Sequence, residues 1–92
     1  MLDKQTLGVN LKKWRIEAKL SQGEVSVALG YKSPQFISNW ERGLSSPPLD
    51  KLVKLISLYN LQEDSFVQTI MRIEENAIYK MIQENRIKPA SL

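Results

Sequence analysis

The sequence predicts an all-α fold, a bundle of four to five helices in which the last is much the longest. Three observations carry this. Apolar residues recur at i, i+3, i+4 and i+7 through most of the chain. Start and stop signals bracket those runs, among them Ser21 with Glu24, Ser33 with Pro34, Gly30, Gly43 and Asn60. The stretch from about Gln62 to Asn85 has no Gly and no Pro, room for a helix of roughly 24 residues and about 36 Å.

The first helix is expected from about Thr6 to Ala18, with Leu7, Leu11, Trp14 and Ala18 as one apolar stripe and Thr6 or Asp3 as its cap. On that stripe Trp14 reads as core. Lys12, Lys13 and Lys19 face solvent, with one or two in reach of phosphates.

The chain is organised around Ser21 to Gly43, two short helices joined by a tight turn. Ser21 and Glu24 form a capping box, each side chain satisfying a free N–H at the helix start. Val25, Ala28 and Leu29 make the inward stripe, with Ala28 small where two helices approach, and Gly30 ends the helix. In the second helix, about residues 34–42, Ser33 is the expected N-cap, Pro34 the first helical residue and Gly43 the left-handed stop. At about 100° per residue, Ile37, Trp40 and Glu41 share one side, while Gln35, Ser38, Asn39 and Arg42 share the other. Amide and guanidinium groups of that second set can make paired hydrogen bonds to base edges. Glu41 on the inward side needs a partner, because an unpaired buried carboxylate is too costly to keep.

Leu44 to Pro48 is a loop of turn formers. A fourth helix follows from about Pro48 to Tyr59, with Leu52, Leu55, Ile56 and Tyr59 inward and Asn60 as its stop. In the last helix Glu63 and Asp64 suit the N-terminal turn, and Pro89 falls soon after its end. Phe66, Ile70, Ile73, Ala77 and Met81 form one seam, widened by Val67, Met71, Ile78 and Ile82. So wide a stripe exceeds what a small bundle covers over that length, so the helix is expected to dimerise, with Phe66, Ile70, Ile73, Ala77, Ile78 and Met81 at the interface. The alternative is that its first half caps the domain and its second half frays. The expected division is a helix-turn-helix unit at 1–61 and a C-terminal helix with a short tail at 62–92.

Composition narrows the chemistry. Ninety-two residues suit one domain, with a core small enough to gain from oligomerisation. The chain lacks Cys and His, so a disulfide framework, thiolate zinc sites and the commonest general base are excluded. No phosphate loop or nucleophile–base pair appears, so neither enzyme activity nor a cofactor is expected. No apolar run approaches the roughly 20 residues of a membrane span, and MLDKQTLG has no signal-peptide apolar stretch. A reducing cytoplasm fits. Net charge is +3 and uneven: residues 1–60 carry nine Lys/Arg against five Asp/Glu, and residues 61–92 four against five. The basic excess lies with the helix pair, in favour of a polyanionic partner.

The run from Leu7-Gly8 through Leu11, Arg15, Leu20-Ser21-Gln22, Ala28, Ile37-Ser38, Glu41 and Gly43 to Pro48, Leu52 and Leu55 resembles the phage repressor/Cro-like, or XRE-type, helix-turn-helix family over roughly residues 6–61. One departure is the turn Gly30-Tyr31-Lys32-Ser33, about one residue longer than in the compact phage repressors, which leaves the register of base contacts open by one position. The resemblance implies a sequence-specific transcription regulator, bound as a homodimer to a pseudo-palindromic operator in double-stranded DNA. It also implies that Arg15 pairs with Glu41 beneath the DNA-facing surface. Gln35 and Asn39 are the expected base readers, with Arg42 on guanine or a phosphate, Phe36 against a thymine methyl, and Ser38 on base or backbone. Gln22, Lys32, Ser33, Ser45 and Ser46 are the expected phosphate contacts. A phage-type repressor, a restriction–modification controller and an antitoxin-type autoregulator all fit, with RNA polymerase or a cognate protein as further partners. A protein-interaction module on the same fold is the competing reading, disfavoured by the non-acidic face of the second motif helix.

Overall fold

The computed structural model describes residues 3–86. The tail beyond Arg86, Pro89 included, lies outside the described residues. Among them five helices follow in order: α1 (Lys4–Glu17), α2 (Gln22–Ala28), α3 (Gln35–Glu41), α4 (Leu49–Leu58) and α5 (Glu63–Glu84). The all-α expectation with a long last helix holds. All five contribute to one core: Leu7 and Leu11, Val25 and Leu29, Ile37 and Trp40, Leu52, Leu55 and Tyr59, then Phe66 and Ile73.

The first four helices end in the same way. Lys19, Gly30, Gly43 and Asn60 take φ of 60°, 86°, 75° and 54°. The next residue's N–H then closes on a carbonyl five positions back: Leu20 on Arg15 at 3.2 Å, and Tyr31 on Ser26, Leu44 on Asn39 and Leu61 on Ile56, each at 2.9 Å. These bonds satisfy carbonyls that a helix end leaves free. Glycine and asparagine announce three of the stops. Lys19 does not, since a lysine in the left-handed region is sterically disfavoured.

Of the two caps expected for α1 Asp3 is the one used, while the start of α3 differs from expectation. Asp3 rather than Thr6 caps α1, its Oδ1 accepting the Gln5 and Thr6 N–H groups at 3.1 and 3.3 Å, so the helix begins earlier than Thr6. Thr6 instead donates its hydroxyl to Asp3 Oδ2 at 2.9 Å. At α3 the cap position belongs to Pro34 rather than Ser33, although Ser33 Oγ still accepts the Gln35 N–H at 3.4 Å. The capping box of Ser21 and Glu24 forms as read.

Ala28 is a clear correction: it is exposed, and Ser26 is buried in its place. The inward face of α2 is centred near Leu29, between Val25 and Ser26, which leaves Ala28 about 100° away from Leu29 around the helix.

α5 lies antiparallel along α1. The Trp14 and Phe66 rings sit 5.6 Å apart near one end, and Lys80 is close enough to Asp3 at the other for its charge to favour the carboxylate. Phe66 and Ile73 are therefore core residues of the chain's own bundle, with Ile70 packed at its margin and Ala77 half-buried. Those four of the six expected interface residues are wholly or partly used within the chain. Ile78 and Met81 remain exposed, joined by Met71, Tyr79 and Ile82.

Candidate nucleic-acid interface

α3 is fixed from beneath before it presents anything outward. Ile37 and Trp40 are buried at 1% and 3% exposure. α1 approaches so closely that a Cβ on Gly8 would lie 2.5 Å from the Trp40 carbonyl oxygen and 2.7 Å from that of Glu41. Only glycine fits this crossing. A glycine within a helix lowers helix propensity and, as here, often has a packing reason. That was the available sign in the sequence.

Beside the crossing, Arg15 holds Glu41 through two of its three guanidinium nitrogens, Nε to Oε2 at 2.6 Å and Nη2 to Oε1 at 3.0 Å. The Arg15 side chain retains 12% of its exposure and that of Glu41 3%. Arg15 Nη1 also donates to the Leu20 carbonyl at 2.9 Å, which ties the stop of α1 into the same network. Gln22 Nε2 donates to Glu41 Oε1 at 3.0 Å. The Glu41 carboxylate raises the Arg15 guanidinium's already high pKa through this hydrogen bond. Burial pushes the nearby Tyr59 phenol well above its ordinary range, with the Glu41 charge adding to it. The pair is thus part of a bonded set joining α1, α2 and α3.

The turn between α2 and α3 is fastened by residues that sequence reasoning did not single out. The buried Ser26 hydroxyl donates to the Ser33 carbonyl. The Tyr31 ring stacks on Phe36 with centroids 4.6 Å apart and meets Trp40 edge-on at 5.8 Å. Lys51 from α4 places Nζ 5.3 Å from the Tyr31 ring centroid and donates to the Leu29 carbonyl at 3.2 Å. A serine at an inward helical position and an aromatic inside a turn were the signals for Ser26 and Tyr31. Lys51 had none, since its role depends on how α4 docks.

On the outward side, Gln35 and Arg42 are exposed, Ser38 and Asn39 half-buried. Phe36 is 51% exposed, one ring face against Tyr31. Gln35 Nε2 donates to Asn39 Oδ1 at 2.9 Å, so the two carboxamides are already joined across one helical turn. Gln35, Phe36 and Asn39 thus belong to a single short helix, and Arg42 is its C-cap. The expected phosphate contacts are more scattered. Lys32 and Ser33 lie exposed in the turn, Ser45 and Ser46 half-buried in the loop after α3, and Gln22 half-buried at the start of α2. Gln22 spends one amide hydrogen on Glu41 and keeps the other.

Chemically, this is a short helix with a rigid apolar and ionic underside and an outer face of carboxamide, guanidinium and aromatic groups. Such a face suits the edges of base pairs. Among the described residues no helix is long and apolar enough to cross a membrane.

A helix-turn-helix family model matches residues 11–66, from the middle of α1 to the first turn of α5. No curated protein matches the chain. The match covers more than half of the chain and spans the whole of α2, α3 and α4 with the ionic network between them, so the chain belongs to the XRE-type helix-turn-helix family of DNA-binding transcription regulators.

Proposed function

We propose that this regulator binds a pseudo-palindromic operator as a homodimer, with α3 of each copy in the major groove. The observation that carries the reading is the division of α3 into an underside locked by Ile37, Trp40 and Glu41 and an outer face of Gln35, Phe36, Asn39 and Arg42. A helix anchored so firmly positions its outer side chains without further ordering on binding.

Gln35 and Asn39 face adenine, Arg42 a guanine or phosphate near the helix end, and Phe36 a thymine methyl. Ser38, half-buried on α3, is left to a base or backbone contact. Lys32, Ser33, Ser45, Ser46 and the free amide hydrogen of Gln22 take phosphates and set orientation without reading sequence. Dimerisation uses the outer side of α5, where Met71, Ile78, Tyr79 and Ile82 line an apolar groove edged by Glu74 and Glu75, with Met81 exposed nearby. Regulation then follows from occupancy of the operator, by blocking polymerase or by touching it.

Selection of bound sequences from a random DNA pool with the purified chain tests this reading. The expected result is two related half-sites with centres about one helical turn, 34–36 Å, apart. Exchanging thymine for deoxyuridine at the Phe36 position removes a methyl while keeping every hydrogen bond, and should weaken binding there. A selected pool no richer in any motif than the input would overturn the assignment of α3 as a reading element.

A further inference from the structure

We infer that Gln35 and Asn39 do not read two bases independently: Gln35 is a positioning residue for Asn39, and the joined carboxamides read one A·T pair as a unit. This rests on the proposal that α3 enters the major groove.

The Gln35 Nε2–H occupies one lone pair of Asn39 Oδ1. Asn39 keeps the other lone pair and both Nδ2 hydrogens. Those remaining groups form one acceptor and one donor side by side, the complement of adenine N6–H and N7. Guanine presents two acceptors, O6 and N7, and would set an oxygen against Oδ1. With Gln35 as shown, turning the Asn39 carboxamide over would bring Nδ2 against Nε2, donor facing donor. The hydrogen bond therefore selects the Asn39 orientation that favours adenine over guanine. It also restrains two side chains before DNA arrives, which lowers the ordering cost of binding. Asn39 is the less exposed of the two, with its backbone carbonyl tied to the Leu44 N–H at 2.9 Å, so the outer Gln35 braces an inner reader.

Independent readers and a coupled pair differ in a measurable way. The full chain selects its operator from the random pool, and the relative preference for each base is then measured at every position for Gln35→Ala, Asn39→Ala, the double variant, Gln35→Lys and Gln35→Glu. Coupling predicts that both single alanine variants relax the same position, each by about tenfold, and that the double variant relaxes it no further than Asn39→Ala. Gln35→Lys, whose Nζ still donates to Oδ1, should keep the adenine preference at that position. Gln35→Glu, which has no donor, should lose it. Gln35→Ala and Asn39→Ala relaxing two different positions, with effects that multiply in the double variant, would overturn the coupling while leaving α3 as the reading helix. A parent chain that selects no sequence would overturn both.

Discussion

α3 and the distal half of α5 are both short stretches of helix, and they treat the residues they expose in opposite ways. Beneath α3 three parts of the chain converge: α1 through Gly8 and Arg15, α2 through Gln22, and the Tyr31 turn through ring contacts. Its exposed residues are mostly polar. The distal half of α5 runs beside α1 and leaves Ile78, Tyr79, Met81 and Ile82 exposed, with Met71 exposed just before it. Contiguous exposed apolar patches are a common feature of interaction surfaces. The first region locks its underside and exposes polar groups, while the second leaves apolar groups on the surface, the face proposed above for a second copy.

Removing one partner of the Arg15–Glu41 pair is the strongest way to break this contrast. Glu41→Gln leaves the buried guanidinium uncompensated and should cost about 3–5 kcal/mol. Thermal melting is the measurement. The expected fall is roughly 10 °C or more, whereas a midpoint within 1 °C of the parent would remove the network from the account. Next comes Gly8→Ala. A methyl group at 2.5 Å from the Trp40 carbonyl must force α1 and α3 apart, and overpacking of this kind costs about 1–3 kcal/mol. Because the displaced element is α3, DNA affinity should fall even where the protein stays folded, and unchanged affinity would argue that α3 tolerates tilting.

On the other side of the comparison, Ile78→Asp should barely alter folding of a single chain, within about 0.5 kcal/mol for a surface site. It should turn a dimer into a monomer in sedimentation at tens of micromolar, with loss of cooperative operator binding. A parent chain that sediments as a monomer at that concentration would sink the dimer. The smallest effect concerns acid. Thr6 holds the Asp3 carboxyl below its ordinary value, chiefly through its side-chain hydrogen bond, and Ser21 does the same for Glu24, chiefly through its backbone N–H. A depressed carboxyl adds stability that is complete above its unfolded pKa, around 4, and is lost as pH falls through the lower folded value. Melting midpoints should therefore decline below about pH 4, and Asp3→Asn should flatten that decline slightly. An identical acid profile in the variant would exclude the Asp3 cap as a contributor.

Much of this was legible because its causes are local. The Ser21–Glu24 box, the stops at Gly30, Gly43 and Asn60, and the split of α3 into apolar and polar sides depend on residues within one or two turns of each other. So does the position of the candidate readers, since Gln35 and Asn39 are placed by the helix that carries them. Phe66 and Ile73 show the limit. Their spacing declared an apolar face, but periodicity records that a face is buried and not against what.

What the amino-acid order determined alone was the helices, most of their ends, the identity of the motif and the chemistry of its exposed face, since each follows from backbone propensity and helical period. Tertiary structure decided the rest. It chose Ser26 over Ala28 for the interior, because the rotation of α2 about its axis is set by what it packs on. It gave Gly8 its necessity, because the contact is with a carbonyl more than thirty residues away in the chain. It placed Lys51 over Tyr31 and divided α5 into a covered half and an open one, because α5 packs along α1, and a helix cannot specify its own neighbour.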